Sequence, residues 1–458
     1  MKRYLLLVIL LAASIELWAG EAADNRKKDK KVEAVEAVEA VCSDVLVEAA
    51  PEEAGVDGEY LTSTIDSLVE VAISKHAFPG CQILVARNGK IILDKSYGYQ
   101  TYRNYRPVEN DHIFDLASCS KVMGATLALM KLVEDGLISL DEPFSKYFPY
   151  FVGSNKEDVT LREFLAHQGG LIPSVNVYGM IYDENRQLRE GWFSYTPSED
   201  YPVEVYKNMW GRKDIREQVY RAVAATPLGP KKFRYSCMSF LCYPYVVQSL
   251  TGKEYEDFLR EEFYGPLGAT HIMLNPAHKY PIDKIMPTEV DTVYRHDLIR
   301  GYVHDESAAM LGGVSGNAGV FANAEDMAKV LQMLLNGGVY DGRRYLKSET
   351  IAEWTSCQYP DNNNRRGLGF DRPIFSNSRS LSLDDSYPAP SASQQSYGHF
   401  GFTGTMFWVD PAENVIYIFL SNRVYPDRAI DCLSSENTRL KCQEAVYEAI
   451  RRYDAAHE

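Results

Sequence analysis

A serine and a lysine open the apolar stretch DLASCSKVMGATLALMKL, in which Ser118 precedes Lys121 by three positions. On a helix these two side chains share a face, so the lysine amine can reach the serine oxygen. A helix start also presents free N–H groups and a positive dipole end, which favour a developing anion. We expect partial burial to lower the Lys121 pKa, so that the amine acts as a base. The pair predicts an activated nucleophile; the alternative is an N-terminal serine beside a lysine that extends to water.

Two other segments carry polar residues next to predicted secondary structure. In KKFRYSCMSFLCY, Tyr235 and Cys237 come directly before an apolar helical pattern. In YGHFGFTGTMFWVDP, His399, Phe400 and Gly401 lead into a predicted strand. The serine–lysine pair therefore does not stand alone.

In order and spacing, these three segments resemble the motifs of the serine β-lactamase and penicillin-binding-protein superfamily. The similarity is to the class C-like branch, where a Tyr-x-Asn element and a His-x-Gly triplet can accompany Ser-x-x-Lys. The segments FPGCQILVARNGKIILDKSYGY and LREFLAHQGGLIP also resemble parts of these hydrolases. The resemblance extends from about residue 51 to about residue 450.

The resemblance implies a role for each matching residue. Ser118 would attack a carbonyl and form an acyl-enzyme, and Lys121 would accept or relay its proton. Tyr235, with its phenolate favoured by nearby cations, would act as a second base and then protonate the leaving group. His399 would orient the substrate, and the backbone N–H groups of Ser118 and Phe402 would form the oxyanion hole. The resemblance implies no metal and no organic cofactor.

Three positions expected to bind substrate are Cys237, Phe400 and Gly401, and two of them depart from the family pattern. Cys237 stands where the family usually has Asn or Asp, and a thiol is a weak hydrogen-bond partner. Phe400 replaces a threonine, and His399 is neutral for much of the time at pH 7. These changes weaken the binding of a carboxylate. They favour an esterase, a peptidase-like hydrolase or a relative of reduced activity.

Two predicted hairpins frame the fold. One turns at Asn88-Gly89, a strong hairpin signal, and the other at the turn-rich loop from Asp410 to Asn414. The chain between them is mostly helical in pattern. We expect an α/β fold of the α+β type, β-lactamase/transpeptidase-like, with an antiparallel sheet built from N- and C-terminal strands and flanked by helices. A helix-rich subdomain is expected at about residues 115–320. The stretch 174–226 is either a packed surface excursion or a lid.

The N-terminus predicts export. Lys2 and Arg3 precede a short apolar run and small residues, which is typical of a signal peptide over residues 1–22. Residues 23–50 form a low-complexity linker in this interpretation, and 51–455 form the hydrolase domain. We expect a secreted or periplasmic protein with no integral membrane segment after removal of the signal.

Composition narrows the function further. The 458 residues carry a formal net charge of -15, which argues against a nucleic-acid partner. The eight cysteines match no zinc motif, and Cys432 with Cys442 is the best candidate for a local disulfide. His304, Asp305 and Glu306 are consecutive and do not easily face one metal ion.

Three hypotheses follow. The first is a secreted serine hydrolase that forms an acyl-enzyme on an ester or amide. Its substrate would be a small molecule or peptidoglycan-derived: a cell-wall D-amino-acid peptide, a small ester or a β-lactam. The second is a catalytically weak binding or sensor protein on the same fold, and the third is a metallohydrolase.

Overall fold

A seven-stranded sheet joins strands from both ends of the described chain, which covers residues 44–458 in this computed structural model. The sheet order is β1-β3-β2-β17-β16-β15, with β4 also paired to β3. The strands are β1 Val47–Glu48, β2 Gly80–Arg87, β3 Lys90–Thr101, β4 Asn104–Pro107, β5 Phe114–Asp115, β6 Phe193–Ser194, β7 Val203–Tyr206, β8 Met209–Gly211, β9 Met273–Leu274, β10 Val290–Asp291, β11 Asp297–Leu298, β12 Val320–Ala322, β13 Val339–Tyr340, β14 Arg343–Arg344, β15 Tyr397–Phe400, β16 Met406–Asp410 and β17 Val415–Ser421.

Helices cover this sheet and fill the middle of the chain. They are α1 Gly58–Ser74, α2 Leu127–Glu134, α3 Leu161–Leu165, α4 Val177–Ile181, α5 Ile215–Ala225, α6 Tyr243–Thr251, α7 Tyr255–Leu259, α8 Glu306–Met310, α9 Ala324–Leu335, α10 Ser348–Thr355, α11 Cys432–Ser435 and α12 Thr438–His457. The predicted sheet of N- and C-terminal strands flanked by helices is therefore confirmed. The predicted signal peptide lies outside the described residues.

Both predicted hairpins form. Asn88 and Gly89 have φ angles of 55° and 74°, the left-handed conformation that a two-residue hairpin turn requires. The second hairpin pairs β16 with β17. Strand β17 then pairs antiparallel with β2 along its whole length, from Val415 opposite Arg87 to Ser421 opposite Cys81. This pairing closes the sheet between the two ends of the chain.

Strand β17 shows why the sheet is covered on both faces. All seven of its residues are buried, and successive side chains point to opposite faces. Tyr417 and Phe419 pack in a cluster with residues of α1 and α12. Ile416 and Ile418 pack in the larger cluster that contains α2 and α9. The sheet therefore separates two apolar cores, and the second supports the segment that begins at Ser118.

Strand β1 corrects two expectations. It pairs parallel with β3, so the sheet is mixed and not purely antiparallel. It also lies within residues 23–50, which we expected to be a linker. Asp44 is already held, because its carboxylate accepts a hydrogen bond of 2.6 Å from the Gly342 N–H. Short edge strands of two residues carry too little pattern to be read from a low-complexity stretch.

The expected disulfide between Cys432 and Cys442 is not formed, and both thiols are free. Cys442 is fully buried against the sheet and faces away from solvent, whereas Cys432 is only half-buried. Cys42 lies outside the described residues. No helix within residues 44–458 combines the length and the apolar character that a membrane crossing needs.

Candidate active site

The turn that carries Ser118 is held in an uncommon conformation. Strand β5 ends at Asp115, and Ala117 then adopts a φ of 45°, which is unusual for a residue with a side chain. The Asp115 carboxylate accepts hydrogen bonds from the backbone N–H groups of Ala117 at 2.8 Å and His304 at 2.7 Å. Ser118 lies on a short 3-10 turn, and a π-helical turn follows at Lys121–Thr126. Such irregular turns are often found at functional sites.

Lys121 is buried completely and has a full set of partners. Its Nζ donates to Ser118 Oγ at 3.0 Å, to Cys237 Sγ at 3.4 Å and to the Asn317 carbonyl at 3.0 Å. An ammonium group has three hydrogens to donate, and here each meets an acceptor. The contact with Ser118 that the sequence predicted is confirmed.

The expected direction of the Lys121 pKa is wrong. Burial lowers this pKa, but the neighbouring Cys237 and Tyr235 side chains outweigh burial and leave it raised. We had expected desolvation alone to decide the charge state. The three acceptors around Nζ agree with the corrected direction, since they suit a charged ammonium. The resting pair is therefore a serine that accepts from a protonated lysine.

Tyr235 completes the arrangement on the other side of the serine. Burial raises the pKa of Tyr235, and this exceeds the lowering effect of the Lys121 charge, so the side chain is a phenol at neutral pH. The predicted phenolate is therefore not the resting form. The Ser118 hydroxyl lies close enough to lower the pKa of the Tyr235 phenol, and both side chains line one cavity. Lys121 Nζ lies 5.2 Å from the centre of the Tyr235 ring. The serine hydroxyl thus accepts from the lysine and lies beside the tyrosine.

His399 presents an unused acceptor. Its Nδ1 lies 2.8 Å from the Phe400 carbonyl, which can only accept, so Nδ1 carries the proton. Nε2 is then an acceptor, and it is buried without a hydrogen-bond partner. Burial, followed by the charges of Arg366 and Lys121, lowers the His399 pKa to about 3. His399 is therefore neutral and can receive a hydrogen bond from a ligand, but it carries no positive charge.

Three contacts tie the His-x-Gly strand to the turn before Ser118. A Cβ atom on Gly401 would lie 2.5 Å from the Leu116 carbonyl, so only glycine permits this approach. Thr403 Oγ1 donates to the Asp115 carbonyl at 2.7 Å, and Thr405 Oγ1 donates to the Leu116 carbonyl at 2.9 Å. The backbone segments that would supply the two oxyanion-hole N–H groups are fixed against each other.

Phe402 itself is half-exposed, and its surroundings hold it from several sides. Arg423 Nε donates to the Phe402 carbonyl at 2.8 Å, and the guanidinium lies 4.6 Å from the ring centre. The His304 ring stacks with the Phe402 ring at 5.7 Å between centres. His304 is in turn held by Glu289, whose Oε2 lies 2.8 Å from Nε2. The position of Phe402 therefore depends on a buried polar network.

The residues considered as metal ligands point to different partners. His304 contacts Glu289, whereas the Glu306 carboxylate contacts Arg428 at 2.8 Å. Elsewhere in the described chain, Glu109, Asp111 and His112 bring ligand-type atoms within 4.8 Å of one another. Asp111 also forms an ion pair with Lys284. The absence of a metal from the chemistry remains a prediction.

A cavity of about 400 Å³ opens beside Ser118. Six of the residues chosen from the sequence line it: Ser118, Tyr235, His399, Phe400, Gly401 and Phe402. Lys121 contacts the Ser118 side chain from within the protein, and Cys237 contacts Lys121. The predicted site residues are thus brought together. A larger cavity of about 730 Å³ contains none of them.

Arginines line the same cavity, and the sequence analysis missed them. They are Arg366, Arg423 and Arg439, against the carboxylates of Asp371 and Asp431. Arg366 is only 4% exposed, and its Nε and Nη1 have no hydrogen-bond partner. Its Nη1 lies 3.6 Å from Asp371 Oδ2, while the neighbouring Arg365 pairs with Oδ1 of the same carboxylate at 3.0 Å.

The segment 174–226 supplies no lining residue to this cavity among the described part of the chain. It forms a small sheet of β6, β8 and β7 and packs onto residues further along. Tyr178 donates to Glu306 at 2.8 Å, and Tyr182 donates to the Val293 carbonyl at 2.6 Å. These contacts favour the packed surface excursion over the lid.

Comparison with known proteins agrees with this geometry. Residues 61–433 match the family described as Beta-lactamase. The chain belongs to this family. A protein of Escherichia coli K12 that is provisionally named a D-alanyl-D-alanine carboxypeptidase is 29% identical over 414 residues, which cover 83% of this chain and 86% of the relative.

Two solved structures share the fold of this family member. The hydrolase EstCE1, described as having promiscuous acyltransferase activity, superposes with a TM-score of 0.61 at 18% identity over 85% of this chain and 99% of its own. A penicillin-binding-protein homologue from Caulobacter crescentus gives a TM-score of 0.60 at 18% identity over 85% and 97%. The predicted β-lactamase/transpeptidase-like fold is confirmed.

The depressed pKa of His399 predicts a pH effect on stability. Its folded pKa lies below the unfolded value of 6.5, so the unfolded chain binds more protons at acid pH. This contribution is fully present above pH 6.5 and is lost as the pH falls towards 3, by at most about 1.4 kcal/mol per pH unit. In nitrogen NMR spectra, the His399 imidazole should stay neutral, with the proton on Nδ1, from pH 8 to pH 5. A titration of this ring between pH 6 and 7 would contradict the assignment.

Proposed function

We propose that this member of the Beta-lactamase family is a serine hydrolase that forms an acyl-enzyme at Ser118. The proposal is carried by one observation: the Ser118 hydroxyl lies between a buried lysine, at 3.0 Å from its Nζ, and the phenol of Tyr235. A structural serine needs no buried cation beside it, because burying a charge costs free energy that a neutral side chain would avoid.

The reactive form is the one in which the Tyr235 phenol has released its proton to solvent, and the Lys121 charge favours this phenolate. Acylation begins when the Ser118 oxygen attacks the substrate carbonyl carbon and the serine proton passes to the Tyr235 phenolate, with Lys121 retaining its positive charge nearby. That charge stabilises both the developing alkoxide and the phenol oxygen as the proton moves. The carbonyl oxygen becomes negative and is bound by the N–H groups of Ser118 and Phe402. Each such donor typically contributes on the order of a hundredfold in rate.

The tetrahedral intermediate then collapses. The bond from carbon to the leaving group breaks, and Tyr235 supplies the proton that the leaving group needs. Water repeats the sequence in the second half of the reaction: it loses a proton to the tyrosine, attacks the acyl carbon and releases Ser118. His399, as a neutral acceptor, binds an N–H or O–H of the substrate.

The arginines of the cavity favour a substrate with a free carboxylate. Arg366, Arg423 and Arg439 line the cavity beside Ser118. Two buried N–H groups of Arg366 lack a hydrogen-bond partner, and its charge is shared with Asp371 at 3.6 Å. Charge-assisted hydrogen bonds to a carboxylate are among the strong ones, and a guanidinium is well shaped to make two of them. Our expectation that His399 and Phe400 weaken carboxylate binding therefore overlooked the arginines of the cavity. A peptide that ends in a D-amino acid, as in the name of the Escherichia coli relative, fits this cavity.

The substrate class fits an exported enzyme. Cell-wall peptides with D-amino acids lie outside the cytoplasm, and the basic and apolar pattern of residues 1–22 is that of a signal peptide. We place the protein in the periplasm or outside the cell, acting on peptidoglycan-derived peptides.

A small ester is the second candidate substrate. It is favoured by the neutral His399 and by the fold shared with EstCE1. A third candidate is a weak binding or sensor protein, which the thiol of Cys237 beneath Lys121 motivates. The contact of Ser118 with both Lys121 and Tyr235 weighs against it, since binding alone does not need this geometry.

The nucleophile is tested by intact-mass spectrometry after exposure to a fluorophosphonate. The folded protein should gain one phosphonyl group, because Ser118 Oγ is activated by its two partners, and the Ser118→Ala variant should gain none. The neighbouring Ser120→Ala variant is the control, since the Ser120 hydroxyl accepts from the Val320 N–H and lies away from the cavity. Absence of labelling in folded protein would favour the sensor hypothesis.

Replacement of Arg366 by leucine separates the two substrate classes. For an acyl-D-Ala-D-Ala peptide, kcat/KM should fall by about tenfold to a hundredfold, which is the expected loss of a charge-assisted hydrogen bond. For a neutral ester it should change by less than about threefold. Arg365→Leu is the matched control, because Arg365 pairs with the same Asp371 but does not line the cavity. Equal losses on both substrates would remove the carboxylate assignment.

A further inference from the structure

A second cavity, which we name the side cavity, adjoins the one beside Ser118. Its volume is about 350 Å³, and it is lined by Tyr387, Phe400, Leu433, Ser434, Asn437, Arg439 and Leu440. Four of these residues line the Ser118 cavity as well: Tyr387, Phe400, Ser434 and Arg439. The two cavities therefore lie next to each other along a shared wall.

The walls of the side cavity are mostly apolar. The rings of Tyr387 and Phe400 lie 5.1 Å apart, and both pack against the smaller apolar core. Leu433 and Leu440 are buried residues of that core and supply aliphatic surface. The polar residues of the lining are Ser434, Asn437 and Arg439. Arg439 carries the charge and lines both cavities, with its guanidinium 4.7 Å from the centre of the Phe400 ring. A ligand placed here would meet apolar surface with a cation at its entrance.

Phe400 accounts for this character. It is the middle residue of the His-x-Gly triplet, directly after His399 and before Gly401, whose backbone lies close to the Leu116 carbonyl. A phenyl ring at this position faces Tyr387 and Trp408 and offers no hydroxyl to a polar substrate group. The departure from the family pattern thus replaces a hydrogen-bonding wall with an aromatic one.

We propose that the side cavity is a subsite for an apolar side chain on the substrate residue that carries the carboxylate. This inference rests on the proposed function. Arg366 and Arg439 face the carboxylate, while the side cavity takes a branched or aromatic side chain of the same residue. The methyl group of alanine would leave most of a 350 Å³ cavity unfilled. The preferred leaving residue is therefore larger and more apolar than D-alanine, such as D-leucine or D-phenylalanine.

Turnover of matched peptides measures this preference. Acetyl-D-Ala-D-Phe and acetyl-D-Ala-D-Ala should differ in kcat/KM by at least about tenfold in favour of D-Phe, since even one methylene in an apolar pocket discriminates by about that much. Ser434→Phe adds a ring to the wall that the two cavities share. Turnover of both peptides can then fall, but the advantage of D-Phe should be lost and the ratio should fall to near one. Ser435→Phe is the matched control: Ser435 is exposed, is absent from the walls of both cavities, and should keep the wild-type ratio.

Binding tests the subsite without turnover. In the Ser118→Ala variant, calorimetric titration should show acetyl-D-phenylalanine binding at least about tenfold more tightly than acetyl-D-alanine, and Ser434→Phe in the same background should abolish the difference. Equal affinities overturn the subsite even if peptides are hydrolysed. Tighter binding of acetyl-D-phenylalanine by Ser118→Ala would support the subsite even if fluorophosphonate fails to label Ser118 in the wild-type protein. That failure of labelling would reject the proposed hydrolase alone. An unchanged preference for acetyl-D-phenylalanine in Ser434→Phe would also overturn the subsite.

Discussion

The buried ammonium of Lys121 is the constraint on which the site depends. A full positive charge without solvent contact is tolerable only if each of its hydrogens finds an acceptor. Ser118, Cys237 and Asn317 supply these acceptors from three distant parts of the chain. The hydrogen bonds of the Lys121 ammonium therefore bring the serine, the segment after Tyr235 and the loop near residue 317 to one point. In this account the same contacts make Ser118 a nucleophile.

The rest of the structure keeps that point rigid. Strand β15 belongs to the central sheet, and its continuation approaches the Ser118 turn so closely that Gly401 admits no side chain. The hydroxyl groups of Thr403 and Thr405 bond to carbonyls of the turn and set the spacing. Because an oxyanion hole works only with donors held in place beforehand, this anchoring matters as much as the donors. The sheet is thus a scaffold for positioning.

The sequence predicted best what is encoded locally. The Asn88-Gly89 turn and the contact of Ser118 with Lys121 need only neighbouring residues, and both are present. The family resemblance then supplied Tyr235 and His399 across longer separations. The sequence did not predict Arg366, because this residue lies in an irregular segment with no periodicity or motif. Only folding brings its guanidinium carbon to 5.2 Å from the centre of the Tyr235 ring.

The charge states of Lys121 and Tyr235 were predicted wrongly for a similar reason. Burial alone favours a lowered Lys121 pKa, but the neighbouring Cys237 and Tyr235 side chains reverse the direction. Burial of Tyr235 likewise raises its pKa despite the nearby Lys121 charge. One acceptor, the Asn317 carbonyl, is a backbone atom 196 positions away, and no side-chain pattern announces it. Predictions of chemistry from a pair of residues therefore depend on the groups that complete their hydrogen bonds.

The most direct test of the account is the rate of Ser118 phosphonylation in a Lys121→Met variant, followed by mass spectrometry. Methionine has a similar length and suits an apolar interior, so the fold should persist, as thermal unfolding would verify. The account predicts a rate on the order of a hundredfold to ten-thousandfold below that of the wild type. A folded variant that reacts at the wild-type rate would contradict the central claim that the buried lysine activates the serine.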